Sequence, residues 1–163
     1  MDQNTTLFER KRPALLSISY RMLGEISSAE DVVQEAWLRF SASDVANIEN
    51  PGAWLRRVAT NIALDTLKSA RARRESYVGP WLPEPIISEC TPSTESQFQL
   101  AQECELALLR AMERLSPTER AAFVLREAFD ADYSEIATTL GKSEASCRQM
   151  VSRAHKRLQT SGP

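Results

Sequence analysis

The chain has 163 residues, of which 42% are apolar and 26% charged, with a net charge of −2, a single histidine and three cysteines. Such a composition belongs to a soluble globular protein of one domain or two small ones. No apolar run approaches the roughly 18 residues of a membrane span, and the opening MDQNTTLFERKRP lacks a signal-peptide core, so no membrane association and a cytoplasmic location are expected.

The predicted elements are all helical. From Ala14 to Leu23, Leu15, Ile18 and Met22 recur at helical spacing, and Leu16, Tyr20 and Leu23 widen the stripe. A second helix is expected to begin near Ser27, which has capping-box spacing to Glu30, and to bury Val33, Ala36, Trp37 and Phe40. Asp31, Gln34, Glu35 and Leu38 fall at i, i+3, i+4 and i+7 and form a second stripe on the opposite side. A leucine among acidic and amide groups is the pattern of a surface that recognises another helix, although such a leucine can also be incidental.

A third helix is expected from the N-cap Asn50 and first-turn Pro51 to about Arg74. Leu55, Val58, Ala59, Ile62 and Thr66 share one face, and Arg57, Asn61, Leu64, Lys68 and Arg71 the other. Basic side chains with an interleaved amide suit a phosphate backbone, with Asn61 able to reach a base edge; the competing reading is a solvated helix face.

The stretch YVGPWLPEP at 77–85 ends this pattern, because Pro80, Pro83 and Pro85 forbid a helix or a central strand. Its Tyr77, Trp81 and Leu82 are not the composition of a merely flexible linker. Residues 76–105 carry Glu84, Glu89, Glu95, Glu103 and Glu105 without Lys or Arg, between a basic block at 51–75 and another at 142–158. Two basic blocks around an acidic connector imply two binding modules.

In the second module Leu100, Cys104, Leu108, Ala111, Met112 and Leu115 mark a helix. Ser116, Pro117 and Glu119 then start another one that turns Phe123, Val124 and Phe129 inward. Tyr133, Ile136, Ala137 and Leu140 form a short helix, Gly141 the turn after it, and Ser143 the cap of the last helix, a helix-turn-helix pattern. Cys147, Val151, Ala154 and Leu158 point inward there; Ala145, Arg148, Gln149, Ser152 and Lys156 point out, flanked by Arg153 and Arg157. Arg148 can pair with guanine and Gln149 with adenine, while the flanking arginines suit phosphates. Cys90, Cys104 and Cys147 have no disulfide or zinc spacing and are expected to be small buried apolar groups.

In their order and spacing these segments resemble the extracytoplasmic-function (ECF) sigma factors of the sigma-70 family, over nearly the whole chain. SSAEDVVQEAWLRF is similar to the region that grips the RNA polymerase clamp helices, and NPGAWLRRVATNIALDTLKSARAR to the region that melts and reads the minus-ten element. LSPTERAAFVLRE and YSEIATTLGKSEASCRQMVSRAHKRL are similar to the module that reads the minus-35 element. The resemblance implies an all-α fold of two small helical domains, region 2 at 1–75 and region 4 with its helix-turn-helix at 99–160, joined by a proline-rich linker at 76–98.

It further implies Asp31, Gln34, Glu35 and Leu38 as the contacts to core polymerase. Arg57, Asn61, Lys68 and Arg71, with Asn47, Asn50 and Trp54, are the implied contacts to minus-ten DNA, double-stranded and then single-stranded. Ala145, Arg148, Gln149, Ser152, Arg153 and Lys156 are those to the minus-35 element. YVGPWLPEP resembles the linker of a subgroup that carries a SnoaL-like domain after region 4, absent from this sequence, and gives Tyr77, Trp81 and Leu82 a regulatory role. No catalytic set can be assembled around His155, and no cofactor or metal is expected, so the protein is not read as an enzyme. A sigma mimic that sequesters an anti-sigma factor and a dimeric helix-turn-helix repressor remain as alternatives.

Overall fold

The computed structural model describes residues 2–75 and 105–160. The expectations at Tyr77, Trp81, Leu82, Cys90, Leu100 and Cys104, and for the 76–98 linker, lie outside the described residues.

The first helix, α1 (Gln3–Leu23), begins eleven residues earlier than the apolar periodicity indicates. Asp2 caps it by accepting from the Asn4 N–H, and Pro13 sits inside it. A proline in a helix interior deletes one backbone bond, and Pro13 is exposed. The extra turns bring Phe8 into the core, where its ring lies 5.1 Å from that of Trp37 and 6.3 Å from that of Phe40. Gly24, left-handed at φ 79°, terminates α1 with its N–H on the Tyr20 carbonyl.

Helix α2 (Ile26–Ala42) starts at Glu25, and the expected capping box between Ser27 and Glu30 does not form. Glu25 is extended, whereas Ser27 is already helical and solvent-facing. Ser28 instead donates its hydroxyl to Glu25 Oε2 at 2.9 Å. Ala29, Val32, Val33, Ala36 and Phe40 form the buried face, with Trp37 half-buried beside them.

A 3-10 turn over Val45–Asn47 leads to α3 (Pro51–Glu75), about 37 Å long at 1.5 Å per residue. Asn50 caps α3 as expected, its Oδ1 accepting from the Ala53 N–H at 3.1 Å. The burial of α3 departs from the sequence reading. Leu64, assigned to the outer face, is only 7% exposed, and Ala63 and Leu67 are buried with Leu55 and Ala59. The cause is that α3 packs on two sides, against α1 and α2 and against the second module.

In that module, helix α4 runs through 105–112, and its Leu109 and Met112 are buried with Leu115 just beyond it. Leu108, expected to face inward, is 36% exposed. Helix α5 (Pro117–Phe129) opens on a complete capping box: Ser116 Oγ accepts from the Glu119 N–H, and Glu119 accepts from the Ser116 N–H. Ser116→Ala removes one of these reciprocal bonds, with an expected loss of about 1 kcal/mol in urea denaturation.

Asp132 caps α6 (Tyr133–Leu140), Gly141 is left-handed at φ 66°, and Ser143 caps α7 (Glu144–Thr160) by accepting from the Ser146 N–H at 3.1 Å. Gly141 ends α6 with its N–H on the Ala137 carbonyl, in a conformation a Cβ would strain. Buried residues of both modules join in one apolar cluster.

Among the described residues, three arginines sew the modules together through long-range hydrogen bonds. Arg120 is fully buried, and its Nε and Nη2 both donate to the Arg21 carbonyl, at 3.0 and 2.8 Å. That carbonyl is one of the last four of α1, which lack helical partners and carry the negative end of the helix dipole. Arg71 Nη2 donates to the Glu113 carbonyl at 2.8 Å, and Arg56 Nε to Glu135 Oε1 at 2.7 Å.

Candidate nucleic-acid interface

Helix α7 has one buried and one exposed face. Cys147, Met150, Val151 and Ala154 anchor it in the core, and Leu158 is half-buried. Ala145, Arg148, Gln149, Ser152, Arg153 and Lys156 are all exposed on its free side. Burial pushes the Cys147 pKa up, with Glu144 adding to the effect, so this thiol stays protonated and unreactive at neutral pH.

Two residues near that surface are engaged by the protein. Arg157, expected to suit a phosphate, donates from Nη1 to Glu119 Oε1 at 2.6 Å and so ties α7 to the start of α5. His155 is exposed, as its place on a basic helix suggests, yet its Nε2 lies 2.7 Å from Glu127 Oε1 and its ring meets Phe123 edge-on at 5.3 Å.

The basic stripe of α3 is divided. Arg57 and Lys68 are exposed, and Asn61 is half-buried. Arg71 is half-buried and held on the Glu113 carbonyl, so it stands in the seam between the modules and not on an open face. Trp54 is half-buried with its ring 5.8 Å from Phe40, which commits part of it to the core.

Asn47, Asn50, Trp54 and Arg57 converge on a cleft of about 470 Å³ whose far wall is α6, through Glu135, Thr138 and Thr139. The sequence gives no sign of that wall. Glu135 reads as an ordinary first-turn acid of α6, and its partner Arg56 as one more basic residue of α3, 79 positions away. Arg120 also escapes the sequence reading. Its signal is present, since it lies at i−3 and i−4 from the inward Phe123 and Val124.

On the opposite side of α2, Asp31, Gln34 and Leu38 are exposed and Glu35 is half-buried, with Leu38 at 53% the most exposed large apolar side chain described. Glu35 Oε1 pairs with Arg39 Nε at 3.2 Å, one turn on. Among the described residues no cluster of three His, Cys, Asp or Glu could hold a metal, and no helix is long and apolar enough to cross a membrane.

Residues 7–73 match the family described as sigma-70 region 2, and residues 105–158 that described as sigma-70, region 4. The chain belongs to the sigma-70 family. Among its relatives, the ECF RNA polymerase sigma factor SigJ of Mycobacterium tuberculosis is 43% identical over 150 residues, spanning 91% of this chain and 48% of that protein. The probable ECF RNA polymerase sigma factor SigI of the same species is 37% identical over 163 residues, spanning 98% of this chain and 56% of that one.

The crystal structure of the M. tuberculosis ECF sigma factor SigJ superposes with a TM-score of 0.71 at 38% identity, over 94% of this chain and 52% of that one. Sigma factor RpoE of Bartonella quintana, solved with the anti-sigma factor NepR, shares the fold with a TM-score of 0.73 at 21% identity, over 98% of this chain and 96% of that one. The sigma-70 chain described here thus spans about half the length of the curated relatives it matches. The all-α architecture of region 2 and region 4 is the one expected from the sequence.

Proposed function

We propose that the protein is a promoter-specificity subunit of bacterial RNA polymerase, without catalysis of its own and acting in the cytoplasm. The observation that carries this reading is the helix-turn-helix of region 4. Its α7 keeps six polar or small side chains, Arg148 and Gln149 among them, exposed on one face while the opposite face is buried. A mimic that sequesters an anti-sigma factor has no use for such a surface.

In this reading 1–75 is the region 2 domain, 76–98 a linker and 99–160 the region 4 domain. Asp31, Gln34, Glu35 and Leu38 meet the clamp helices of core polymerase. Arg57, Asn61 and Lys68 hold minus-ten DNA, and Asn50 and Trp54 border the cleft at which an unstacked base would be captured. Arg71 contributes there once it leaves the Glu113 carbonyl. Capturing bases offsets a few kcal/mol of unstacking. Arg148 and Gln149 read the minus-35 element, with Ala145, Ser152, Arg153 and Lys156 around them. Tyr77, Trp81 and Leu82 mediate control by a SnoaL-like domain, a role supported by the resemblance of the linker alone.

Run-off transcription with bacterial core polymerase on a promoter library tests the reading. Transcripts that require both this chain and a shared upstream sequence are expected; a folded chain that neither binds core nor initiates would sink it. On the selected promoter, Lys156→Ala is expected to weaken binding for all sequences alike and to lower the slope of log affinity against log salt by about 1. A change in base preference would instead mean that Lys156 reads bases.

A further inference from the structure

The N-terminal residue of α6, Tyr133, lies beneath two cations at once. The guanidinium carbon of Arg126, from α5, is 4.6 Å from the centre of its ring, and that of Arg148, from α7, is 5.3 Å away. The two arginines differ in what else holds them. Arg126 Nη1 donates to the Ala131 carbonyl at 3.1 Å, which fixes it in the corner between α5 and α6. Arg148 is exposed and makes no hydrogen bond or ion pair among the described residues. Among the described residues the aromatic ring is the one directional contact that restrains it.

We propose that Tyr133 is a positioning residue for base readout: its ring holds the Arg148 guanidinium on the exposed face of α7 in the orientation that pairs with a guanine edge. The inference rests on the minus-35 reading given above. An unrestrained arginine spreads over many rotamers and must give up that freedom to make a planar, two-pronged contact. A guanidinium already laid over an aromatic ring has lost part of that freedom before DNA arrives. Its donors stay available to DNA, because none of them is taken by a hydrogen bond or ion pair among the described residues. The pinned Arg126 bears on the placement too: a second cation against the same ring repels Arg148 and narrows the positions it can take there. With no carboxylate neutralising it, the pair of cations also favours an electron-rich partner, such as guanine O6 and N7.

The test uses the full chain with core polymerase, selecting bound sequences from a duplex promoter library randomised across the upstream element. Five proteins are compared: the unaltered chain, Arg148→Ala, Tyr133→Leu, Tyr133→Phe and the double variant Arg148→Ala with Tyr133→Leu. Arg148→Ala is expected to flatten the preference at one base position by about 10-fold or more. Tyr133→Leu should lower the preference at that same position by about 2- to 5-fold and leave the position read by Gln149 unchanged. Tyr133→Phe, which keeps the ring, should restore it, and Tyr133→Leu should add nothing in an Arg148→Ala background.

An unchanged preference in Tyr133→Leu overturns the inference. So does a uniform loss across all positions accompanied by a lowered melting temperature, the mark of a packing role only. If the unaltered chain selects no upstream sequence, the minus-35 reading itself fails and takes this inference with it.

Discussion

Reversing the charge of Asp31 and Glu35 together is expected to reduce promoter-dependent run-off transcription by about 100-fold, corresponding to about 2.8 kcal/mol of lost polymerase affinity. The two carboxylates and Gln34 line the turns of α2 that lead up to Leu38, a leucine left 53% exposed. An apolar anchor with charges beside it is how a small helix surface achieves both affinity and orientation. The folded state should hardly notice the change. Asp31 is exposed, and the Glu35–Arg39 pair is a surface bridge between side chains that are each about half exposed, at 46% and 54%. Losing it and placing like charges one turn apart costs about 0.5 kcal/mol. Pull-down of core polymerase, with melting of the free protein as a control, separates the two effects. Undiminished core binding by a folded variant would remove this surface from the polymerase contact.

The second large effect is expected at Arg120. Arg120→Met keeps most of the side-chain length in the seam but leaves the Arg21 carbonyl without two donors, inside an interior where the arginine is 0% exposed. A buried acceptor stripped of charged donors implies a loss of about 2–4 kcal/mol, or roughly 5–15 °C in melting temperature for a chain of this size. The seam should fail before either module. The parent is then expected to unfold in one transition, and Arg120→Met in two, as calorimetry or denaturation followed by two probes would reveal. One transition at an unshifted midpoint would mean that Arg120 is not what couples the modules.

The helices were largely legible in the sequence because their ends carry local chemistry. Asn50 with Pro51, Ser116 with Glu119, and Gly141 with Ser143 act within a few residues of themselves, and each does what its spacing predicts. The start of α1 was hidden because the apolar periodicity begins only at Leu15, whereas the burial of Phe8 against Trp37 and Phe40, a tertiary effect, accompanies a helix that runs through Pro13 from Gln3. The Ser27 and Glu30 spacing misled for the opposite reason, since a capping pattern also occurs by chance inside a first turn.

The outer face of α7 was readable because a single helix with one buried side leaves the other side determined. The face of α3 was not. A helix packed on two sides buries Leu64 and engages Arg56 and Arg71 with residues 79 and 42 positions away, and nothing in a 3.6-residue period announces a second neighbour.

The α6 wall of the cleft around Asn50, Trp54 and Arg57 bears on how affinity for promoter DNA should be understood. If promoter DNA is to pass along α3 at this point, as the proposed function requires, Glu135 has to leave Arg56 and the wall has to withdraw, so that only the fraction of molecules in that state would admit it. A binding constant measured for the free chain would then be the intrinsic one weakened by that fraction, a conformational tax written into the seam. A partner that holds the modules apart would remove the tax without touching a base. The same short ion pair would then set how much of the protein's promoter affinity is lent by its partner and how much is its own.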